Sequence, residues 1–283
     1  MPRKSLLEPL LLAIDCSNTG IKFGLYPLTG EHRQVLRARW RISTARERTA
    51  DEYAALLMTL TSQARLSAEA IEGVIIASVV PQLTPVFAEI ARQNLTREAI
   101  IVSDQLDLGV RLLVDNPWET GPDRIISTLA AHHLYGGPAI VIQFGTATSF
   151  DCVSADGDFL GGAIAPGMGI SAEALARAAS RLFQVELATP PSALGKNTIH
   201  AMQSGIVLGH VGMVEGLVTR LRAELPGPEA KVIAHGGLAH VVAKATDVIS
   251  VVDSNLILNG LRLAYDMVQA RSGANHAATP AGR

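Results

Sequence analysis

The sequence predicts an α/β protein of two domains, and three observations predict it. The chain has 283 residues, a length near which a single hydrophobic core stops growing and chains divide. Roughly its first hundred residues read as strands, a helix, a strand, a second helix and a short strand. The opening theme is an apolar strand, a turn of small polar residues and a return strand, and it occurs again after Gly136. Periodicity alone accounts for that recurrence equally well as two related domains or as two hairpins of one sheet.

The elements follow in order. Leu10 to Ile14 is an unbroken apolar run closed by Asp15, and Ile21 to Tyr26 is a second one. Cys16-Ser17-Asn18-Thr19-Gly20 between them predicts a hairpin turn. A third strand is expected around Val35 to Ile42. Tyr53, Leu56, Leu57 and Leu60 recur at helical spacing behind Thr49, a good N-cap residue, which predicts a helix from Thr49 to Ala64. Val74 to Val80 reads as a buried strand closed by Pro81, Pro85 to Gln93 as a helix, and Ala99 to Val102 as a short strand. Asp115-Asn116-Pro117 is a turn signal, and Pro122 suits the first turn of the helix after it. The junction is therefore expected at this turn, with domains of residues 1–115 and 116–270. Ala139 to Gln143, Ser149 to Val153 and Phe159 to Ile164 are the next strands, followed by helices near Ile170 to Arg181 and Ile199 to Leu225. Lys231 to Ala234 reads as a strand and Asn255 to Ala270 as the last helix. The Gly, Ala, Asn and Pro content of residues 271–283 predicts a disordered tail.

Composition excludes several function classes. With 24 Lys plus Arg against 26 Asp plus Glu, there is no basic surplus to neutralise a nucleic acid backbone or an anionic membrane. Two cysteines make no disulfide framework, and no zinc spacing occurs, which fits a reducing cytoplasm. Arg3 and Lys4 before an apolar run resemble a signal peptide, but Glu8 and Pro9 interrupt that run and no cleavage site follows. No stretch approaches the roughly eighteen uninterrupted apolar residues expected of a membrane helix.

Chemistry is expected at the hairpin turns. Oriented backbone amides and hydroxyls bind phosphate oxygens without lysine, so Ser17-Asn18-Thr19 and Gly145-Thr146-Ala147-Thr148 are candidate phosphate loops. Asp15 at a strand end suits magnesium beside those phosphates, or is simply a turn former. His235-Gly236-Gly237 allows close backbone approach to a nucleoside. Asp123 and Arg124 follow Gly121-Pro122 at a helix start and supply a carboxylate and a guanidinium, or complement the helix dipole. Gly195-Lys196 lacks the rest of a Walker A pattern. Gly167 to Ala172 matches GxGxxA, but follows a hairpin strand, so a close-packed strand-to-helix turn explains it better than a dinucleotide site. The 8 histidines show no HExxH, and no GxSxG elbow is present.

Taken in order, Ile14-Asp15-Cys16-Ser17-Asn18-Thr19, Arg48-Thr49-Ala50-Asp51-Glu52, Ala77-Ser78-Val79-Val80-Pro81, Asp115-Asn116-Pro117, Gly121-Pro122-Asp123-Arg124, Phe144-Gly145-Thr146-Ala147-Thr148, Gly161 to Ser171, Gly195-Lys196-Asn197-Thr198, Gln203-Ser204-Gly205 and Gly236-Gly237-Leu238-Ala239 resemble the type III pantothenate kinase family. The resemblance covers about Leu10 to Asp266. It implies two ribonuclease-H-like, actin-like ATPase domains facing each other across a nucleotide cleft, a cytoplasmic homodimer, and transfer of the ATP γ-phosphate to pantothenate. Carried over by position, it makes Asp123 the general base, with Arg124, Gly121, Val114 and Thr198 at the pantothenate. Asp15 would organise magnesium. Asn18, Thr19, Gly145, Thr146 and Thr148 would line the phosphates, with Gly236 and Gly237 near the adenosine. Asp15 and Asp123 are expected from separate halves of the molecule.

Three positions depart from the family pattern. Ser17 replaces a glycine, adding a side chain where positive φ is expected. Gln143 replaces an aspartate associated with the potassium or ammonium ion such kinases use, keeping an oxygen but losing the charge. Val114 replaces a tyrosine, lowering the polarity of the pocket. His235 stands where threonine is common. A catalytically weak homologue that binds nucleotide, or a kinase for a different small alcohol on the same scaffold, is the competing expectation.

Overall fold

A computed structural model describes residues 8–227 and 229–277, with 273–277 as helix backbone only. The described chain divides into two compact units. One comprises the residues through Gly109, Trp118–Leu129 and those from Ile257 onward, and the other comprises Val110–Pro117 and Ala130–Leu256.

In the first unit, β1 (Leu10–Cys16), β2 (Gly20–Pro27) and β3 (Ala38–Ser43) form an antiparallel run. After α1 (Ala50–Gln63), β4 (Ile71–Ser78) returns parallel to β1, and β5 (Ala99–Ile101) follows α2 (Thr84–Asn94) to lie beside β4. The sheet order is β3-β2-β1-β4-β5. Every residue of β1 is buried, as its continuous apolar run requires of a central strand covered on both faces. The edge strand β3 alternates half-buried and exposed residues instead. Helices α1 and α2 meet over the sheet, where the Phe87 ring packs 5.9 Å from Phe23 and 5.1 Å from Tyr53, centroid to centroid.

Helix α1 starts where the sequence places its N-cap. Thr49 Oγ1 accepts the Glu52 amide at 3.3 Å, and the Glu52 carboxylate accepts the Thr49 amide at 2.8 Å. This reciprocal capping box satisfies two donors that the first turn leaves orphaned. Thr49→Ala is expected to cost about 1 kcal/mol of stability, read as a lower urea midpoint at unchanged slope; an unshifted midpoint would count against the cap.

The second unit repeats the plan. After α3 (Pro122–Tyr135), β6 (Ala139–Phe144), β7 (Ala147–Val153) and β8 (Phe159–Pro166) are antiparallel, while β9 (Lys231–Gly236) lies parallel beside β6 and β10 (Val251–Val252) parallel beside β9. Read from β8, the order β8-β7-β6-β9-β10 is that of β3-β2-β1-β4-β5. The recurrence in the sequence is therefore two sheets of one topology, and not two hairpins of a single sheet. Between β8 and β9 lie α4 (Met168–Ala178), α5 (Thr198–Gln203), a π-helical segment (Ser204–Leu208) and α6 (Gly209–Glu224). Thr198–Glu224 is long and apolar enough to cross a membrane by composition. Val207, Val211, Val214 and Val218, however, are buried in the core of this unit, which accounts for the apolar stripe.

Two sequence expectations need correction. The junction near residue 115 is not a single cut, because Trp118–Leu129 and the chain from Ile257 pack with the first unit. A helix that begins beside one core and ends in another is invisible to turn signals. The expected tail from residue 271 is helical through Ala277 in α8 (Leu256–Ala277), leaving 278–283 outside the described residues. An ion pair from Arg271 to Asp107 anchors that helix against the rest of its unit. The short α7 (Ala239–Ala243) follows the strand-to-helix turn expected at His235 to Ala239, whereas β10 was not anticipated, since two residues carry too little periodicity.

Candidate active site

The first hairpin turn is tied closed by its own residues. The Ser17 amide and hydroxyl both donate to the Gly20 carbonyl, at 3.0 and 2.7 Å, and Thr44 Oγ1 donates to the Ser17 carbonyl at 2.6 Å. Among the described non-glycine residues only Arg65 and Thr96 have positive φ. The strain expected of Ser17 in place of glycine therefore does not arise, and the hydroxyl adds a bond to the turn. Asn18 and Thr19 are left exposed at the tip, with Asn18 Oδ1 accepting from Arg46 Nη2 at 2.9 Å. Next to the turn, Asp15 is 4% exposed and its Oδ2 is 2.9 Å from Lys22 Nζ, directly opposite in the β1–β2 register. Sequence reasoning missed Lys22. The available signal was a lysine inside the apolar run of β2, at the position that hairpin pairing sets against Asp15. Burial pushes the neighbouring Cys16 thiol up to about 11, so it remains a protonated core group.

Asp123 is held at the start of α3. Its Oδ1 accepts the Arg124 amide at 2.9 Å, and that amide also donates to the Gly121 carbonyl at 3.0 Å. A Cβ on Gly121 would lie 2.6 Å from Asp123 Oδ1 and 3.6 Å from Val79 Cγ1. Glycine at 121 is thus the space the carboxylate occupies. Val79 follows β4, and its amide donates to the Cys16 carbonyl at 3.0 Å. These contacts set the first turn of α3 at the carboxyl ends of β1 and β4, the end that carries Asp15. The two carboxylates accordingly belong to one unit, which corrects their expected origin in separate halves. Ligands of open α/β sheets bind beyond the carboxyl ends of parallel strands.

In the second unit, Gly145, Thr146 and Ala147 are exposed at the β6–β7 turn, whereas Thr148 is 1% exposed. The Gly145 amide is committed to the Ala147 carbonyl at 3.0 Å, and Thr148 Oγ1 lies 2.8 Å from His210 Nε2. The Thr148 hydroxyl therefore braces the turn from behind instead of facing outward with Thr146, a correction to its expected phosphate contact. The Gly145 amide is likewise spent within the turn. Gly167, the N-cap of α4, donates to the Thr146 carbonyl at 3.0 Å, and a Cβ there would lie 2.4 Å from the carbonyl oxygens of both Gly145 and Thr146. The GxGxxA segment is thus a close-packed strand-to-helix turn that sets the N-terminus of α4, with its partial positive charge, against Thr146. Gly236, at φ +101°, stacks on the Phe144 backbone, while Gly237 is exposed with open space around it.

The departures from the family pattern now have surroundings. Gln143 and His235 are neighbours in the β6–β9 register, and Gln143 Oε1 is buried without a hydrogen-bond partner. An orphaned neutral oxygen supplies one donor and no charge, so a monovalent cation fits poorly there. Val114 is half-buried, its Cγ1 3.6 Å from where a Cβ on Gly161 would stand, and offers only methyl groups. Thr198 is exposed at the first position of α5. It lines a cavity of about 1030 Å³ together with Lys196, Asn197, Met202, Ile206 and His210. No group of three or more His, Cys, Asp or Glu suited to a metal occurs among the described residues. Magnesium needs only one or two carboxylates when phosphate oxygens and water complete its shell; Asp15 offers one, with its Oδ2 already 2.9 Å from Lys22 Nζ.

Solved structures share this architecture. A conserved Baf family protein from Campylobacter jejuni superposes with a TM-score of 0.58 at 17% identity, covering 92% of this chain and 99% of that one. A Sinorhizobium meliloti protein assigned as a 2-dehydro-3-deoxygalactonokinase gives 0.58 at 16% identity, covering 91% and 96%. The fold is that of the actin-like ATPases and sugar kinases. Within that class, the family model for type III pantothenate kinase matches residues 11–220. Type III pantothenate kinases from Roseiflexus sp. (strain RS-1) and Thermomicrobium roseum are 50% and 45% identical, over 91% and 94% of this chain and 99% and 100% of theirs. The one from Moorella thermoacetica is 44% identical over 91% of this chain and 99% of its own. The chain belongs to the type III pantothenate kinase family.

Proposed function

We propose that the protein transfers the γ-phosphoryl group of ATP to the hydroxyl of pantothenate, giving 4′-phosphopantothenate in the first step of coenzyme A biosynthesis. The observation that carries this reading is the pair of carboxylates, Asp15 and Asp123, at the carboxyl end of β1 and β4 in one unit. Phosphoryl transfer needs positioning and charge neutralisation more than covalent help from the protein. Asp123 accepts the proton of the attacking hydroxyl, from a carboxylate whose place is set by the Arg124 amide. Asp15, oriented by Lys22, would hold magnesium, which neutralises the charge of the β- and γ-phosphates when bound. Asn18, Thr19 and Thr146 contact phosphate oxygens from their turns. Gly236 and Gly237 lie along the adenosine, and Gly121, Arg124, Val114 and Thr198 contact pantothenate. The working form is a cytoplasmic homodimer.

A test is ADP release measured with and without pantothenate, in magnesium, with potassium or ammonium varied. Pantothenate-dependent turnover indifferent to potassium is expected, because Gln143 brings no charge. Nucleotide binding without turnover would instead favour a weak or regulatory homologue, the reading supported by the orphaned Gln143 oxygen and the apolar Val114. Gln143→Asp is expected to make turnover potassium-dependent; a cation response identical to the wild type would sink this account of position 143.

A further inference from the structure

His210 is a buried imidazole that the reaction outlined above does not use. It stands in the first turn of α6, 8% exposed. Its Nε2 is 2.8 Å from Thr148 Oγ1, and its ring packs at 54° to Phe144, 6.2 Å between centroids. Phe144 and Thr148 are register partners in the β6–β7 hairpin, the last pair before the exposed turn at Gly145 and Thr146. One side chain therefore grips both feet of that turn.

Two further features fit a positioning task. The π-helical segment Ser204–Leu208 ends two residues before His210. A π segment adds a residue to the winding, so in an uninterrupted α-helix position 210 would point about 100° away. Such segments are frequent at functional sites. Desolvation also holds the His210 pKa below its ordinary value. The neutral ring keeps one N–H and one lone pair, and either tautomer bonds the hydroxyl, so the grip adds no charge behind the turn.

We infer that His210 is a positioning residue that holds the Gly145–Thr146 turn in its phosphate-contacting shape, through Thr148 Oγ1 and the Phe144 ring. The inference rests on the reading of that turn as an ATP contact. The experiment measures ATP affinity by calorimetry and KM for both substrates in wild type, His210→Phe, Thr148→Val, the double variant and His210→Gln. His210→Phe and Thr148→Val are each expected to weaken ATP binding about 10-fold, the loss of one buried hydrogen bond. In Thr148→Val the KM for pantothenate should stay within about twofold, since Thr148 belongs to the nucleotide turn and, unlike His210, does not line the cavity at Thr198. The double variant should be no weaker than either single one, because both remove the same bond. His210→Gln, which restores a polar group, should recover most of the affinity.

Unchanged ATP affinity in His210→Phe, equal losses for both substrates in Thr148→Val, or additive losses in the double variant would overturn the inference. If His210→Phe fails to fold, the isosteric Thr148→Val carries the same test. A wild-type protein that does not bind ATP would overturn the nucleotide reading, and this inference with it. Wild-type binding left untouched by the variants would overturn this inference alone.

Discussion

With asparagine at position 123, pantothenate-dependent ADP release is expected to fall by about 10³-fold while ATP affinity stays within about twofold, the range set by loss of a general base. Asparagine has the size of aspartate and keeps an Oδ1, so the bond to the Arg124 amide at 2.9 Å and the packing against Gly121 persist. What disappears is the capacity to take up a proton. Turnover numbers and calorimetric ATP affinity, measured on the same preparation, separate that loss from misfolding. A variant as active as the wild type would refute the role of Asp123 as base.

Gly167→Ala is expected to weaken ATP binding at least about 10-fold and to cost about 1–3 kcal/mol of stability, as overpacking of a rigid site does. The added Cβ would stand 2.4 Å from two carbonyl oxygens, both belonging to backbone, so neither can swing aside as a flexible side chain would. Either the β6–β7 turn or the start of α4 must move, and the proposed phosphate contact at Thr146 moves with it. Gly169→Ala is the control. It lies in the same helix with nothing beyond its chain neighbours and its own helix backbone within 4 Å of the added carbon, and should leave ATP affinity and melting temperature unaltered or slightly raised. Calorimetry and thermal melting of the two variants side by side check the contrast, and equal behaviour would remove the argument for a tightly seated turn.

Much of the site was legible in the chain before any fold was known, but its geometry was not. Asp15 is recognisable because it terminates an unbroken apolar run, and Asp123 because it follows Gly121-Pro122 at a helix start. Lys22 and His210 were passed over. A lysine in a strand and a histidine in a helix look like solvated or structural residues until pairing sets one against Asp15 and packing sets the other against Thr148. Thr148 shows the opposite error, since its neighbours in the sequence face outward while its own hydroxyl turns into the core.

What the sequence by itself determined were the local elements: the two hairpins, the capped start of α1, the buried central strands and the family to which these motifs point. Each element follows from residues within one or two turns of helix or one strand of each other, where periodicity and capping act, and the family follows from the order of short motifs along the chain. Only the tertiary structure decided that the repeated hairpins open two sheets of one topology, that Trp118–Leu129 and the chain from Ile257 return to the first unit, and that Asp15 and Asp123 share one end of it. Those outcomes depend on contacts between residues far apart in the chain, from the Val79 amide on the Cys16 carbonyl to the Tyr26 hydroxyl on Asn259. Such contacts form where buried apolar surface is greatest, a quantity of the folded molecule that no local pattern encodes.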